Sequence, residues 1–282
     1  MSETTNSEIQ TSNKEQTSSE VTLFSEPIFH IGKFTITNSL ITSWTVVLII
    51  VIFSLVLAKK IKKVPRGIQN FFEMIVDGAL NMADSVTGDR KRTLRIFPIV
   101  FTIFLFILLN NWFGLLPGVG SIGFLEKTVG HSAFIPFLRG GTADLNTTLA
   151  LALFSVLGAN IFGIFMVGAW RHFNKFVGVN SILTIPKKIF KEPAVIFVNP
   201  IKFFVGIVEI IGEIAKVASL SFRLFGNIFA GEVLLASLSL IFAFILPIPF
   251  IFLEIIVGIV QALIFSMLTL VYFTIASTAE EH

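Results

Sequence analysis

The sequence lacks cysteine altogether, so it builds no disulfide and no thiolate metal site. It is also poor in charge. Asp, Glu, Lys and Arg make up 14% of its 282 residues, against about a quarter in soluble domains. The four histidines, His30, His131, His172 and His282, are scattered and lie outside the apolar runs. No metal-ligand cluster is readable and no cofactor is expected. The fragment GVGSIG has neither the flanking strand nor the GK[ST] ending of a phosphate-binding loop. A net charge of +3, with the positive residues gathered in loops, argues against a nucleic-acid partner.

What is abundant is apolar. Hydrophobic residues make up 54% of the chain, 32 residues are Phe, and the mean hydropathy is +0.86. The runs are long and do not alternate. This predicts an all-α polytopic membrane protein, not a barrel. The first twenty residues, MSETTNSEIQTSNKEQTSSE, have no apolar core and so no secretory signal. Residues 1–26 read as a disordered polar tail, and 27–282 as a single membrane domain.

Five crossings are expected. They run from about Ser39 to Ala58, Ile96 to Leu116, Thr147 to Ala169, Phe203 to Leu246, and Phe250 to Ser277. Between the first two lies RGIQNFFEMIVDGALNMADSV, with Ile68, Phe71, Phe72, Ile75, Val76, Ala79, Leu80 and Ala83 at helical spacing. It has KKIKK before it and GDRKR after it, so it reads as an amphipathic helix on the membrane surface. The fourth run has 44 residues without proline, roughly 66 Å of helix against ~30 Å of hydrocarbon. It either crosses twice or lies strongly tilted. Pro247 and Pro249 then make a bend.

Loop charge sets the orientation. Nine Lys and Arg residues separate spans one and two, and six separate spans three and four. Only Lys127 and Arg139 lie between spans two and three. The N-terminus is therefore expected outside and, with five crossings, the C-terminus in the cytoplasm of a cell whose plasma membrane holds the chain.

From Val217 to Ala279 the only charged residues are Arg223, Glu232 and Glu254. Glu209, Glu213, Lys216, Ser219, Arg223 and Asn227 share one helical face, and Glu232 lies half a turn off it. Glu254 and Gln261, seven apart, share a face of the last helix. Charge inside a span costs a few kcal/mol or more, and by default marks an ion or proton path. The plainer alternatives are an ion network of Glu209, Glu213 and Lys216 at the helix end, and Gln261 as a hydrogen bond between helices. Arg223 is about twenty residues from the nearest helix end, too far for a simple reach to the interface.

The segment SLSFRLFGNIFAGE, Ser219 to Glu232, resembles the signature of subunit a of the F-type ATP synthase. NNWFGLLPG, TADLNTTLALAL and QALIFSMLTLVYFTIA resemble further parts of the same family, in the same order. The resemblance implies a channel subunit, not catalytic alone, in the membrane sector of a rotary ATP synthase. Its partners would be a ring of small c-type hairpin subunits, b-type subunits of the peripheral stalk, and the lipid bilayer. The last two helices would be long, tilted and set against the ring. Two offset half-channels would be separated by Arg223, the essential arginine of the family. Asn227 matches the polar residue one turn on. Glu232, Glu254 and Gln261 match positions lining the outer half-channel, and Glu209 one near the cytoplasmic half-channel. Asn111 and Asp144 match polar positions near the outer entry. Many relatives pair a histidine with a glutamate where this chain has Glu232 and Glu254, and some carry an acid where it has Gly114. The coupling ion is expected to be a proton, although the ring decides between H⁺ and Na⁺. A secondary transporter would instead show internal repeats and broken helices. A purely structural subunit would not need Arg223, Glu232 and Glu254 in apolar helices.

Overall fold

The computed structural model describes residues 25–32, 34–62, 67–116, 118–119, 122–128, 131–169, 195–242 and 245–278. Nearly all of the polar tail and most of the basic connection between spans three and four lie outside them. So does the chain terminus from residue 279 onward.

Among the described residues, five helices are long and apolar enough to cross a membrane. They are α1 (Asn38–Lys60), α3 (Arg90–Leu115), α4 (Leu145–Val167), α5 (Val195–Ile241) and α6 (Pro247–Ser277). The surface helix α2 covers Ile68–Thr87. The protein is a polytopic all-α membrane protein, as the apolar runs predict. Each expected span is present within a few residues, except that α5 starts eight residues early.

The choice left open for the fourth run is resolved. α5 is one unbroken helix of 47 residues, roughly 70 Å long. A single crossing of that length requires a steep tilt in a bilayer of ~30 Å. Pro247 begins α6, where its missing N–H costs nothing. The turn between the two helices is therefore set by sequence.

Two glycines bracket α2. Gly67 (φ 61°) precedes it. Gly88 (φ 68°) ends it in the left-handed conformation and donates its N–H to the Asp84 carbonyl at 2.9 Å. Asp89 then caps α3, accepting from the Lys91 N–H at 3.0 Å. Only the C-terminal half of α2 is buried against the bundle, through Leu80, Ala83 and Thr87. Ile68, Phe71 and Ile75 stay exposed, as a membrane-surface helix would leave them.

Two short antiparallel ribbons were not anticipated from the sequence. β1 (Pro27–Ile31) pairs with β2 (Phe34–Thr37), leading straight into α1. β3 (Gly123–Thr128) pairs with β4 (His131–Pro136) between α3 and α4. Strands of four to six residues without alternation leave little periodic signal. A 3₁₀ turn, Gly141–Ala143, follows the second ribbon. The ribbons and this turn define one end of the bundle, called here the hairpin end. The opposite end carries α2.

Two packed layers hold the spans together. One joins Ile103 and Ile107 of α3, Ala152 and Val156 of α4, Leu220 and Leu224 of α5, and Ala262 and Phe265 of α6. The other, nearer α2, joins Ala83, Ile96, Val100, Ala159, Leu270 and Phe273. α6 therefore returns from the hairpin end to α2, antiparallel to α5. Because lipid supplies no hydrophobic drive between helices, small residues such as Ala152, Ala159 and Ala262 allow close approach.

Candidate functional site

The buried polar residues cluster at the hairpin end. Asp144 is 4% exposed. One carboxylate oxygen accepts from the Asn146 N–H at 3.0 Å, capping α4. The other accepts from the hydroxyls of Ser25 at 2.8 Å and Ser39 at 2.9 Å. Asp144 thus ties α4 to the segment ahead of α1. Asn111 is equally engaged: its amide donates to the Gly258 carbonyl on α6 at 3.1 Å, and its carbonyl accepts from Thr142 at 2.7 Å. Both residues expected near the outer entry are thus hydrogen-bonded between elements in this structure.

Gly141 sits where no side chain fits. A Cβ there would lie 2.6 Å from Ser43 Oγ and closer still to Asn110 Oδ1. Both of these atoms are buried without a hydrogen-bond partner among the described residues. Buried polar atoms normally find a partner in protein or water, so this end of the bundle is built for a polar environment.

Glu232 and Glu254 both stand at this end of the bundle. Glu254 is 7% exposed, and its Oε1 has no hydrogen-bond partner among the described residues. Its carboxyl packs against Gly231, close enough that a Cβ at that position would clash. Gly231 adjoins Glu232 in the chain, so the offset and tilt of α5 and α6 bring the two acids to comparable depth. Glu232 faces another way. Its carboxylate takes three N–H bonds from Arg139: Nε to Oε1 at 3.0 Å, Nε to Oε2 at 3.2 Å and Nη2 to Oε2 at 2.8 Å. This fork geometry is the strongest form of ion pair. Arg139 comes from the connection before the 3₁₀ turn, is 7% exposed, and has its own N–H anchored on Thr42 Oγ1 at 3.2 Å.

One turn inward, Asn227 donates to Gln261 Oε1 at 2.8 Å across the α5–α6 seam. Gln261 Nε2 is buried without a partner among the described residues. Ser221 meets Thr148 of α4 at 3.2 Å. Arg223 lies one turn before Asn227 on the same helical face. It is exposed, donates to Ser219 Oγ at 3.3 Å, and forms no ion pair among the described residues.

Toward α2 the stripe is compensated again. Lys216 donates to Glu213 at 2.6 Å and lies over the Tyr272 ring, 5.2 Å from its centroid. Asn160 of α4 donates to the other Glu213 oxygen at 3.0 Å. Glu209, half-buried one turn earlier, stands on the same face. The ion network weighed for Glu213 and Lys216 is present.

Comparison with known proteins bears on this arrangement. Residues 40–274 match the family model described as ATP synthase A chain. The chain belongs to the ATP synthase subunit a family. It is 35% identical over 243 residues to the "ATP synthase subunit a" of Syntrophobacter fumaroxidans, covering 86% of this chain and 85% of that one. It is 30% identical over 245 residues to that of Trichlorobacter lovleyi, covering 87% and 89%. A relative from Moorella thermoacetica is 29% identical over 245 residues, covering 87% and 93%. The family is a non-catalytic component of the membrane sector of the F-type ATP synthase.

Sequence reasoning passed over two residues. Arg139 appeared only as one of two basic residues in a sparsely charged connection. Its isolation, beside Gly140 and Gly141, was the available signal. Gly231 was noted only as part of the signature, though a glycine beside a glutamate on a packed helix hints at a close neighbour.

Proposed function

We propose that the chain carries protons between the two faces of the membrane and a rotating ring of small carboxylate-bearing subunits. Two offset half-channels are separated by Arg223. The hairpin end faces outward and holds the outer pathway, with Glu254, Gln261 and Asn227 along the α5–α6 seam. Asn111 and Asp144 brace its mouth. Glu209 stands toward the cytoplasmic pathway. The N-terminus lies outside and the C-terminus in the cytoplasm of a cell whose plasma membrane holds the chain, with b-type stalk subunits alongside.

The observation that carries this reading is the exposure of Arg223 within an apolar span. A cation there is costly unless something meets it, and among the described residues no acid does. The counter-charge then comes from a partner chain. An arginine does not give up its proton, so it is a fixed charge that favours proton release from a passing carboxyl. Each proton moved across 100 mV is worth about 2.3 kcal/mol.

ATP-driven proton uptake is measured in vesicles holding the whole complex, native against Arg223→Ala. Loss of uptake with the complex assembled supports the arginine as the gate. Passive leak in the variant adds that it also blocks a short circuit. Unchanged uptake sinks the reading and leaves a packing role.

A further inference from the structure

We propose that Arg139 is a positioning residue that commits Glu232 to a fixed ion pair, so that ion exchange in the outer pathway falls to Glu254 alone. The proposal rests on the half-channel reading above and divides labour between two acids which that reading treats alike.

Four observations carry it. Glu232 receives three N–H bonds from one guanidinium, with both oxygens used. Arg139 is buried and its backbone is pinned to α1 through Thr42, so the segment that presents the cation is held in place beside α5. Glu254, by contrast, keeps a buried oxygen without a hydrogen-bond partner among the described residues. Its carboxyl sits on the bare backbone of Gly231, a position cleared for it by the absence of a side chain.

Among the described residues, the charged groups near the pair are few. Asp144 lies on the connection that follows Arg139, and is taken up by Asn146, Ser25 and Ser39. Glu26 lies beside the start of α1, where its carbonyl accepts from the Asn38 N–H. Glu254 comes from α6. α4 contributes hydroxyls and amides but no titratable group along its length, and the NNWFGL end of α3 likewise. Arg139 is thus the cation that faces Glu232, and a bidentate guanidinium–carboxylate pair resists exchange. An acid held this way shapes the field of the pathway without passing protons along it.

The test uses the whole complex in vesicles, reading proton uptake as a function of the pH on the side facing the hairpin end. Arg139→Gln is expected to lower uptake at least tenfold and to broaden its pH profile, because Glu232 is released into the pathway as a second exchanging acid. Adding Glu232→Gln is expected to return at least tenfold of the lost rate and to sharpen the profile again. Arg139→Lys should fall between, since a point charge lacks the fork. Glu254→Gln should abolish uptake whether or not the pair is intact. The proposal is overturned if Arg139→Gln leaves rate and profile as in the native complex. It is also overturned if the double variant is no better than the single one. Should Arg139→Gln fail to assemble, an assembled and pumping double variant supports the proposal, and a double variant equally depleted from the membrane overturns it. Arg223→Ala runs in parallel. If that variant pumps normally, the half-channel reading has failed; if it is dead while the Arg139 series behaves as native, only the present proposal has.

Discussion

Arg139 and Arg223 flank the same helix and are treated in opposite ways. Arg139 reaches α5 from a connecting segment, is buried, and meets a carboxylate with a full fork of hydrogen bonds. Arg223 belongs to α5 itself, is exposed, and has a serine hydroxyl one turn away as its hydrogen-bond acceptor. The first is a charge already neutralised within the chain. The second is a charge left open toward whatever covers that face. Burial and a partner within the chain separate the two cases.

The sharpest way to break this contrast is to remove the open charge. Arg223→Ala should reduce coupled uptake by a hundredfold or more, with subunit content unchanged on immunoblots of purified complex. The same substitution at Arg139 should instead act partly through stability, since it removes charge-assisted hydrogen bonds to a half-buried carboxylate, each typically contributing ~1.5–3 kcal/mol. Thermal unfolding in detergent would show the difference. A similar loss of melting temperature in both variants would erase the distinction.

Gly231→Ala tests the seat of Glu254 while leaving every charge in place. The added Cβ collides with the carboxyl, and overpacking of this kind costs ~1–3 kcal/mol. Uptake should fall about tenfold in assembled complex. Near-native uptake would mean that Glu254 can work from another position.

Asp144 sharpens the contrast between path and joint. As a cap it should tolerate Asp144→Asn, because an amide oxygen caps as well and its neighbours are rotatable hydroxyls. Asp144→Ala should lose about 2 kcal/mol in a denaturation experiment. If Asp144→Asn stops uptake while the subunit stays folded, Asp144 is part of the route after all.

The smallest effect lies outside the membrane spans. The Thr93 hydroxyl and the Arg90 guanidinium beside Asp84 hold its carboxyl below the usual carboxylate range. A depressed carboxyl contributes stability that is fully present above its ordinary value and is lost as pH falls through the lowered one. Docking of α2 should therefore loosen slightly below about pH 4. Asp84→Asn should remove that step in hydrogen exchange over residues 80–93. An unchanged acid response would assign it elsewhere.

Much of this arrangement is legible in the sequence because it follows from repetition. The spans, α2 and the polar stripe all repeat at helical spacing, and the spacing of Glu213 and Lys216 allows the pairing that the structure shows. The Arg139–Glu232 pair does not repeat, since 93 residues separate its members. Nothing local at Asp144 announces that it joins three segments, or that Glu254 would settle on Gly231. Those facts arise from the crossing of α5 and α6 and from a turn with no room at Gly141. They are products of packing, which a single sequence records only as isolated glycines and one stray cation.

The continuity of α5 has a mechanical consequence. Glu213 is held to α4 through Asn160, and Glu232 to the hairpin end through Arg139. Arg223 lies ten residues from the first attachment and nine from the second, about 15 Å and 14 Å along the axis. It is the midpoint of a beam clamped at both ends. A sideways push at that point meets a span held at both ends, and the Asn160 hydrogen bond and the Arg139 ion pair, which look like passive ballast, set how little the charge is displaced under load.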